Sequence, residues 1–231
     1  MIRDRDGSSK SGVMPPTAAA EPCPLCQASD GVQPFDADRA RSYLRCGVCS
    51  LVFVPRAQHP SPRAAKERYD LHRNDPGDSG YRRFLNRLVD PLAPRLRPGA
   101  EGLDFGCGPS PVLSLLLAER GFRMANYDPF YAPDTRVLQR TYDFLVCSET
   151  VEHFSEPRRD LDRMLRLVRA GGWVGIMTGM LEPGIVFLKW PYANDLTHVC
   201  FFSRRTFEWW AGQHGLAVEF PAGNVCLMRV K

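Results

Sequence analysis

No stretch of this chain approaches the roughly 20 consecutive apolar residues that cross a bilayer, so no membrane span is expected. The first ten residues, Met1-Ile-Arg-Asp-Arg-Asp-Gly-Ser-Ser-Lys10, carry charge but lead into no hydrophobic segment. A secretory signal is therefore not expected, and the reading is a cytoplasmic protein. No internal repeat is present, which sets repeat architectures aside. A large charge excess is also missing, since the net charge is +4 in 231 residues. The excess is local: residues 51–100 hold ten Arg/Lys against five Asp/Glu. That segment reads either as a solvated linker and helix face or as a patch for an acidic substrate or nucleic acid. Histidine is scarce, with five residues, so each can be weighed singly.

The eight cysteines lack the even spacing of a secreted disulfide framework. Cys107, Cys147, Cys200 and Cys226 are scattered through apolar sequence, as buried free thiols are. The other four form two knuckles, Cys23-Pro-Leu-Cys26 and Cys46-Gly-Val-Cys49, separated by 19 residues. Each Cys-x-x-Cys turn aims two thiolates at one point, and the spacer is long enough to fold back as a hairpin and complete a tetrahedron. The spacing predicts a structural zinc held by Cys23, Cys26, Cys46 and Cys49. All four positions are thiolates, which makes a closed site rather than a catalytic one. A unit of ~30 residues buries too little core to stand alone, so the metal would supply much of its folding free energy.

Residues 103–108, Leu-Asp-Phe-Gly-Cys-Gly, follow a short apolar run and precede a helical pattern over 109–120. Two glycines let the backbone turn sharply and approach a ligand, and the N–H groups opening the helix face the same spot. Asp128 lies 20 residues beyond Gly108, at the tip of the next predicted strand, where an acid can accept hydrogen bonds from ribose hydroxyls. Pro111 occupies the place of the third glycine of a Gly-x-Gly-x-x-Gly turn, which argues against a nicotinamide oxidoreductase.

The composition and pattern divide the chain into a disordered tail (1–20), a zinc-ribbon-like module (21–57), a basic linker with one helix around 81–89 (58–98), and an α/β domain (99–231). Pro91, Pro94 and Pro98 are expected to end the linker helix. Strands are expected at 102–105, 122–127, 142–147, 173–178, 217–220 and 225–230, with helices after 109, after Ser155 and over 206–214. This alternation gives a mostly parallel sheet with helices on both faces. Only 14 residues separate Asp128 from Asp143, so either the third strand is vestigial, around 136–138, or the sheet lacks that edge.

Taken together, Leu103-Asp-Phe-Gly-Cys-Gly108, Tyr127-Asp128, Tyr142-Asp-Phe-Leu-Val-Cys-Ser-Glu-Thr-Val-Glu-His153 and Leu167-Val-Arg-Ala-Gly-Gly-Trp173 resemble a class I S-adenosylmethionine-dependent methyltransferase, here with an N-terminal zinc ribbon. The resemblance implies a Rossmann-like sheet of seven strands, shortened if the edge is lost, ending in a reversed hairpin. It implies that Asp104, Gly106 and Gly108 line the methionine part of S-adenosylmethionine, that Asp128 holds the ribose, and that Ser148 and Glu149 sit beside the sulfonium. The short passage after Asp128 lacks the family's acid-containing adenine loop, leaving Pro129 and Phe130 to stack there. Asn194-Asp-Leu-Thr-His198 is similar to an Asp-Pro-Thr-His loop that faces the acceptor in relatives, with Leu196 in place of proline.

A methyl sulfonium is already a strong electrophile, so position and a dry cavity are the main requirements and a catalytic metal is not called for. An acceptor hydroxyl or protonated amine would want a general base. His153 and His198, the latter accompanied by Asp195 and Thr197, are the candidates, while His59, His72 and His214 read as structural. Glu152 reads equally as a solvated or capping acid and as a site residue. Trp190, Tyr192 and Phe201 are candidates for an aromatic wall or for core. The acceptor is expected to be a small molecule, because no target-recognition domain remains once the ribbon is counted. A zinc-ribbon RNA methyltransferase and a non-catalytic zinc-binding scaffold are the competing readings. The Asn/Asp-Pro-Pro-Tyr motif of base N-methylation is absent. An acceptor carbon, oxygen or nitrogen is compatible with these residues.

Overall fold

The computed structural model describes residues 21–71 and 74–231; the expected tail over 1–20 and His72 lie outside them. The two cysteine knuckles repeat one hydrogen-bond pattern. In the first, Cys23 N–H donates to Ala28 O (3.0 Å) and Gln27 N–H to Cys23 O (2.8 Å). In the second, Cys46 N–H donates to Leu51 O (2.9 Å) and Ser50 N–H to Cys46 O (2.9 Å). Each knuckle closes on a left-handed residue, Gln27 at φ 62° and Ser50 at φ 63°. Between them run β1 (Val32–Ala37) and β2 (Ser42–Cys46), and β3 (Val52–Phe53) follows the second knuckle.

The segment expected as a linker with one helix holds two α-helices among its described residues. The first, α1 (Pro62–Tyr69), starts at Ser61, whose hydroxyl accepts from Ala64 N–H, with Pro62 pre-set for the first turn. The second, α2 (Ser79–Leu92), is capped by Asp78, which accepts from Gly80 and Tyr81 N–H. It buries Leu85, Leu88, Val89 and Leu92, worth about 1.5–3 kcal/mol each relative to exposure. The helix runs through Pro91 rather than ending there, because a proline in the last turn forfeits a single hydrogen bond while the apolar face remains packed.

The main sheet contains β4 (Glu101–Phe105), β5 (Arg123–Tyr127), β6 (Tyr142–Ser148) and β7 (Val168–Met177) in parallel. After β7 comes β8 (Cys200–Phe201), which belongs to the other sheet, and then the reversed hairpin of β9 (Ala217–Ala222) and β10 (Val225–Arg229). The strand order among the described residues is β5-β4-β6-β7-β10-β9, six strands, the shortened form of the expected sheet. The missing edge follows from chain length: Asp128 and Ala132 close a tight bridge, and Thr135–Gln139 forms a short 3-10 turn before β6. β7 begins five residues earlier than expected, because its pairing with β6 resumes across a bulge between Tyr142 and Phe144.

The sheet separates two cores. Phe144 and Val146 of β6 pack with α2 and α3 (Val112–Ala118), whereas Leu145 and Cys147 pack with α4 (Pro157–Arg166) and α5 (Arg204–Gln213). The cysteine hairpin shares the second core, because β3 pairs with β8 and extends its sheet to β1-β2-β3-β8. Tyr43 and Phe53 of the hairpin and Phe187 and Phe201 of the α/β region are buried together.

Candidate functional site

A cleft of about 790 Å3 opens at the carboxyl ends of β4, β5 and β6, within the size range of small-molecule sites. Asp104, Gly106, Gly108, Asp128, Ser148, Glu149, His153, Asp195 and His198 all line it. The sequence spread them over 95 positions; the topology brings them to one sheet edge. A second depression, of about 710 Å3, lies between the first knuckle and α4 and is lined by Arg56, Arg158, Arg159 and Arg166. None of those nine residues reaches it.

One end of the cleft is made by backbone. Gly106 (φ 83°) and Gly108 (φ 65°) take left-handed conformations that only glycine adopts without strain. A Cβ on Gly106 would stand 2.5 Å or less from Thr150 Oγ1 and Cγ2, whereas around Gly108 nothing stands within 4 Å and the backbone lies open. Asp128 organises the turn. Its Oδ2 accepts from Gly108 N–H (3.1 Å), and its Oδ1 accepts from Phe130 N–H (2.8 Å) and Tyr131 N–H (3.1 Å). Thr150 donates to Gly106 O (3.2 Å) and Ser148 O (2.9 Å), which ties the turn to the end of β6. Below them Asp104 is buried and accepts from Ser114 Oγ (3.2 Å). Burial raises its carboxyl to about 7, and the charge of Asp128 adds to the shift. Glu149, held at φ 48° with its N–H on Met177 O (2.7 Å), is pushed well up by desolvation and by neighbouring Glu152.

The other end is made by side chains from distant segments. His153 follows β6 in a 3-10 turn, and its Nδ1 faces Thr197 O at 3.0 Å. His198 Nδ1 faces Tyr192 O at 2.6 Å. Each carbonyl accepts, so each Nδ1 carries the proton and Nε2 keeps the lone pair in the neutral ring. Desolvation lowers the His198 imidazole below its ordinary range. The two rings stand 4.8 Å apart, edge to face, with Tyr69 of α1 5.0 Å from His153. Glu152 is neither solvated nor a cap: it is fully buried on the cleft floor, accepting from Thr178 Oγ1 (2.9 Å) through Oε2. Its Oε1 has no hydrogen-bond partner among the described residues.

Asp195 shapes the loop. Its Oδ1 accepts from Thr197 N–H (2.9 Å) and Oγ1 (2.6 Å), and its Oδ2 pairs with Arg68 Nε at 3.0 Å. Burial works against its charge, but the Thr197 donors and Arg68 outweigh it and hold the carboxyl well below the usual range. Tyr192 lines the cleft with Trp190 stacked behind it, while Phe201 is core. Of the other histidines, His59 turns Nε2 to Val54 O (2.9 Å) and His214 pairs with Asp162 at 3.2 Å, both away from the cleft.

Three contributors were not legible in the sequence reading. Arg68 and Tyr69 come from α1, whose Ser61-Pro62 start was the available signal. Arg41, from the cysteine hairpin, reaches across to the loop of residues 193–198, donating to Ala193 O (2.5 Å), Asp195 O (3.0 Å) and His198 O (3.2 Å). No local pattern announced it. The basic segment is largely neutralised: Arg63, Lys66, Arg68, Arg82, Arg95 and Arg97 each pair with a carboxylate.

Residues 78–219 match the family model described as a methyltransferase domain. The chain belongs to this methyltransferase family, a class of S-adenosylmethionine-dependent enzymes. A ubiquinone biosynthesis O-methyltransferase from Leptothrix cholodnii is 31% identical over 104 residues, covering 35% of this chain and 44% of that protein. The chain thus aligns with less than half of that relative's length. Among solved structures, the PH0226 protein of Pyrococcus horikoshii OT3 superposes with a TM-score of 0.50 at 15% identity, over 71% of this chain and 99% of that one. It shares the fold, a Rossmann-like α/β arrangement with a mostly parallel sheet. No helix among the described residues is long and apolar enough to cross a membrane.

Proposed function

We propose that this protein transfers a methyl group from S-adenosylmethionine to a small-molecule acceptor. The observation that carries the reading is the convergence of the Gly106–Gly108 turn, Asp128 and the Ser148–Glu149 strand end on one cleft, with an imidazole pair at its far side. The residues fit the cofactor. Gly108 leaves its backbone open where a Cβ would meet nothing, and the buried Asp104 with its raised carboxyl is a suitable partner for an ammonium group. Asp104, Gly106 and Gly108 would hold the methionine part and Asp128 the ribose hydroxyls, with Pro129 and Phe130 on the adenine side. Ser148 and Glu149 would border the sulfonium. When bound, S-adenosylmethionine supplies an electrophilic methyl group.

The chain's own residues do the rest. His153, His198 and the Asp195 loop form the acceptor end, with Tyr192 and Tyr69 as its walls. Removal of the acceptor's proton is assisted there, and the enclosure keeps water from competing. The relative acting in ubiquinone biosynthesis is named as an O-methyltransferase, in keeping with a small acceptor. The ion pairs that occupy most of the basic segment leave little free charge for gripping RNA.

The cysteine module, which we place over 21–57, is proposed to hold a structural zinc. Its four sulfurs lie within 4.8 Å of one another, with Cys23–Cys49 at 3.5 Å and Cys26–Cys46 at 3.4 Å. Thiolates bound about 2.3 Å from a tetrahedral zinc stand roughly 3.8 Å apart, so little rearrangement is needed. Residues 99–231 are the proposed methyltransferase domain, with 58–98 bridging the two.

Binding tests the reading. Thermal unfolding of the full chain should shift upward with S-adenosylmethionine and not with NADH. Asp128→Ala should weaken the cofactor roughly tenfold or more, since a hydrogen bond to a charged group is worth about 1.5–3 kcal/mol. Normal affinity in that variant would remove Asp128 from the ribose site. Metabolite profiling with a methyl-labelled cofactor would then identify the acceptor.

A further inference from the structure

Glu152, His153 and His198 each offer a ligating atom within 4.8 Å of the other two, on the floor and wall of the cleft. Three features separate this trio from a chance cluster. The two imidazoles are oriented by backbone carbonyls at Nδ1, Thr197 O for His153 (3.0 Å) and Tyr192 O for His198 (2.6 Å). That is the outer-shell arrangement that fixes a metal-binding histidine and presents Nε2. Glu152 is fully buried, its Oε2 anchored by Thr178, while Oε1 is left without a hydrogen-bond partner among the described residues. A buried carboxylate oxygen with no partner costs free energy, and a cation would repay it. The Thr178 hydroxyl is itself 2.7 Å from Tyr192 Oη, so the carboxylate is held by a chain of side chains rather than by solvent.

We infer that Glu152, His153 and His198 bind a divalent transition-metal ion, distinct from any ion held by the cysteines. Two imidazoles and one carboxylate suit zinc, cobalt or iron better than magnesium or calcium. Three protein ligands would leave coordination positions free for a further ligand, and all three residues line the cleft. Resting on the reading of this cleft as a methyl-transfer site, the inference narrows the acceptor to a molecule carrying an ionisable hydroxyl. That oxygen would coordinate the ion and ionise at lower pH, its proton leaving to solvent and its lone pair remaining on oxygen.

Cobalt(II) added to the full chain is the probe, because thiolate and imidazole–carboxylate sites differ in their visible spectra. The expected result is two ions per chain. One shows sulfur-to-metal charge transfer, and the other shows weaker ligand-field bands without it. Glu152→Gln and His198→Gln should each lose the second ion and keep the first. Both should keep the wild-type thermal shift with S-adenosylmethionine, since neither residue is assigned to the cofactor; His198→Gln alone carries the test if the buried Glu152→Gln fails to fold. One ion per chain in the wild type, or a second ion that persists in the folded variants, would overturn the inference. Two ions in a wild-type chain that gives no shift with S-adenosylmethionine would uphold the metal site and remove the cofactor reading instead.

Discussion

The two ends of the cleft are built on different principles. The glycine-turn end is local: Asp104 to Asp128 covers 25 residues, and its contacts run mostly from backbone amides to a single carboxylate. The histidine end is assembled from four segments, namely α1, the turn after β6, the loop before β8 and the cysteine hairpin. Its orienting contacts reach from Arg41 to residues 152–157 positions away. A backbone-made site tolerates change elsewhere in the chain, because strand pairing and φ angles hold it. A side-chain site held by distant elements inherits the stability of every one of them. The cysteine hairpin therefore bears on the histidine end far more than on the glycine-turn end.

The largest expected effect breaks that asymmetry at its root. Cys49→Ser takes one ligand from the proposed zinc site and leaves Glu152, His153 and His198 in place. Structural zinc in comparable small modules contributes on the order of 10 kcal/mol of apparent binding free energy. The hairpin should lose its fold, and with it the β3–β8 pairing and Arg41's hold on residues 193–198. Methyl transfer should fall by two orders of magnitude or more, while binding of S-adenosylmethionine, followed by calorimetry, changes by only a few-fold. Equal loss at both ends would show the cleft to be one cooperative unit.

The same contrast explains what could be read from the chain alone. The glycine turn, Asp128, the Ser148–Glu149 strand end and the alternation of elements are short-range patterns, and the structure brings all of them to the expected sheet edge. The absent third strand was open in the sequence as a matter of length, and the Asp128–Ala132 bridge now decides it. Glu152 could not be placed, because burial depends on Thr178 and Tyr192 from beyond β7. Tyr69 could not be placed either: its neighbour His153 lies 84 positions on. Side chains that meet across such distances leave no periodicity behind.

Arg41→Met sharpens the comparison without touching the cysteines. The guanidinium is buried and donates to three carbonyls of one loop, so its loss leaves all three without that donor. The expected destabilisation is about 2–3 kcal/mol, read as a lower midpoint in denaturant, since methionine preserves much of the packing volume. The kinetic signature should be selective. KM for the acceptor should rise and kcat fall as the His198 loop loosens, with KM for S-adenosylmethionine nearly constant. A uniform drop in active fraction with both KM values unchanged would mean that Arg41 serves folding only.

Arg68→Gln should have the smallest effect and tests the finest point. Arg68 Nε and Asp195 Oδ2 are 3.0 Å apart, but the arginine side chain is half exposed, so solvent screens the pair. Its contribution to stability is expected to be under about 1 kcal/mol. Asp195 keeps its contacts with Thr197 without Arg68, and Arg41 still grips the backbone beneath it. The loop should therefore keep its shape while α1 gains freedom to lift Tyr69 from His153. The expected outcome is a few-fold rise in acceptor KM that diminishes at high salt, where the wild-type ion pair is itself weakened. A large loss of activity would instead mean that α1, and not the hairpin, is the element that sets the acceptor end.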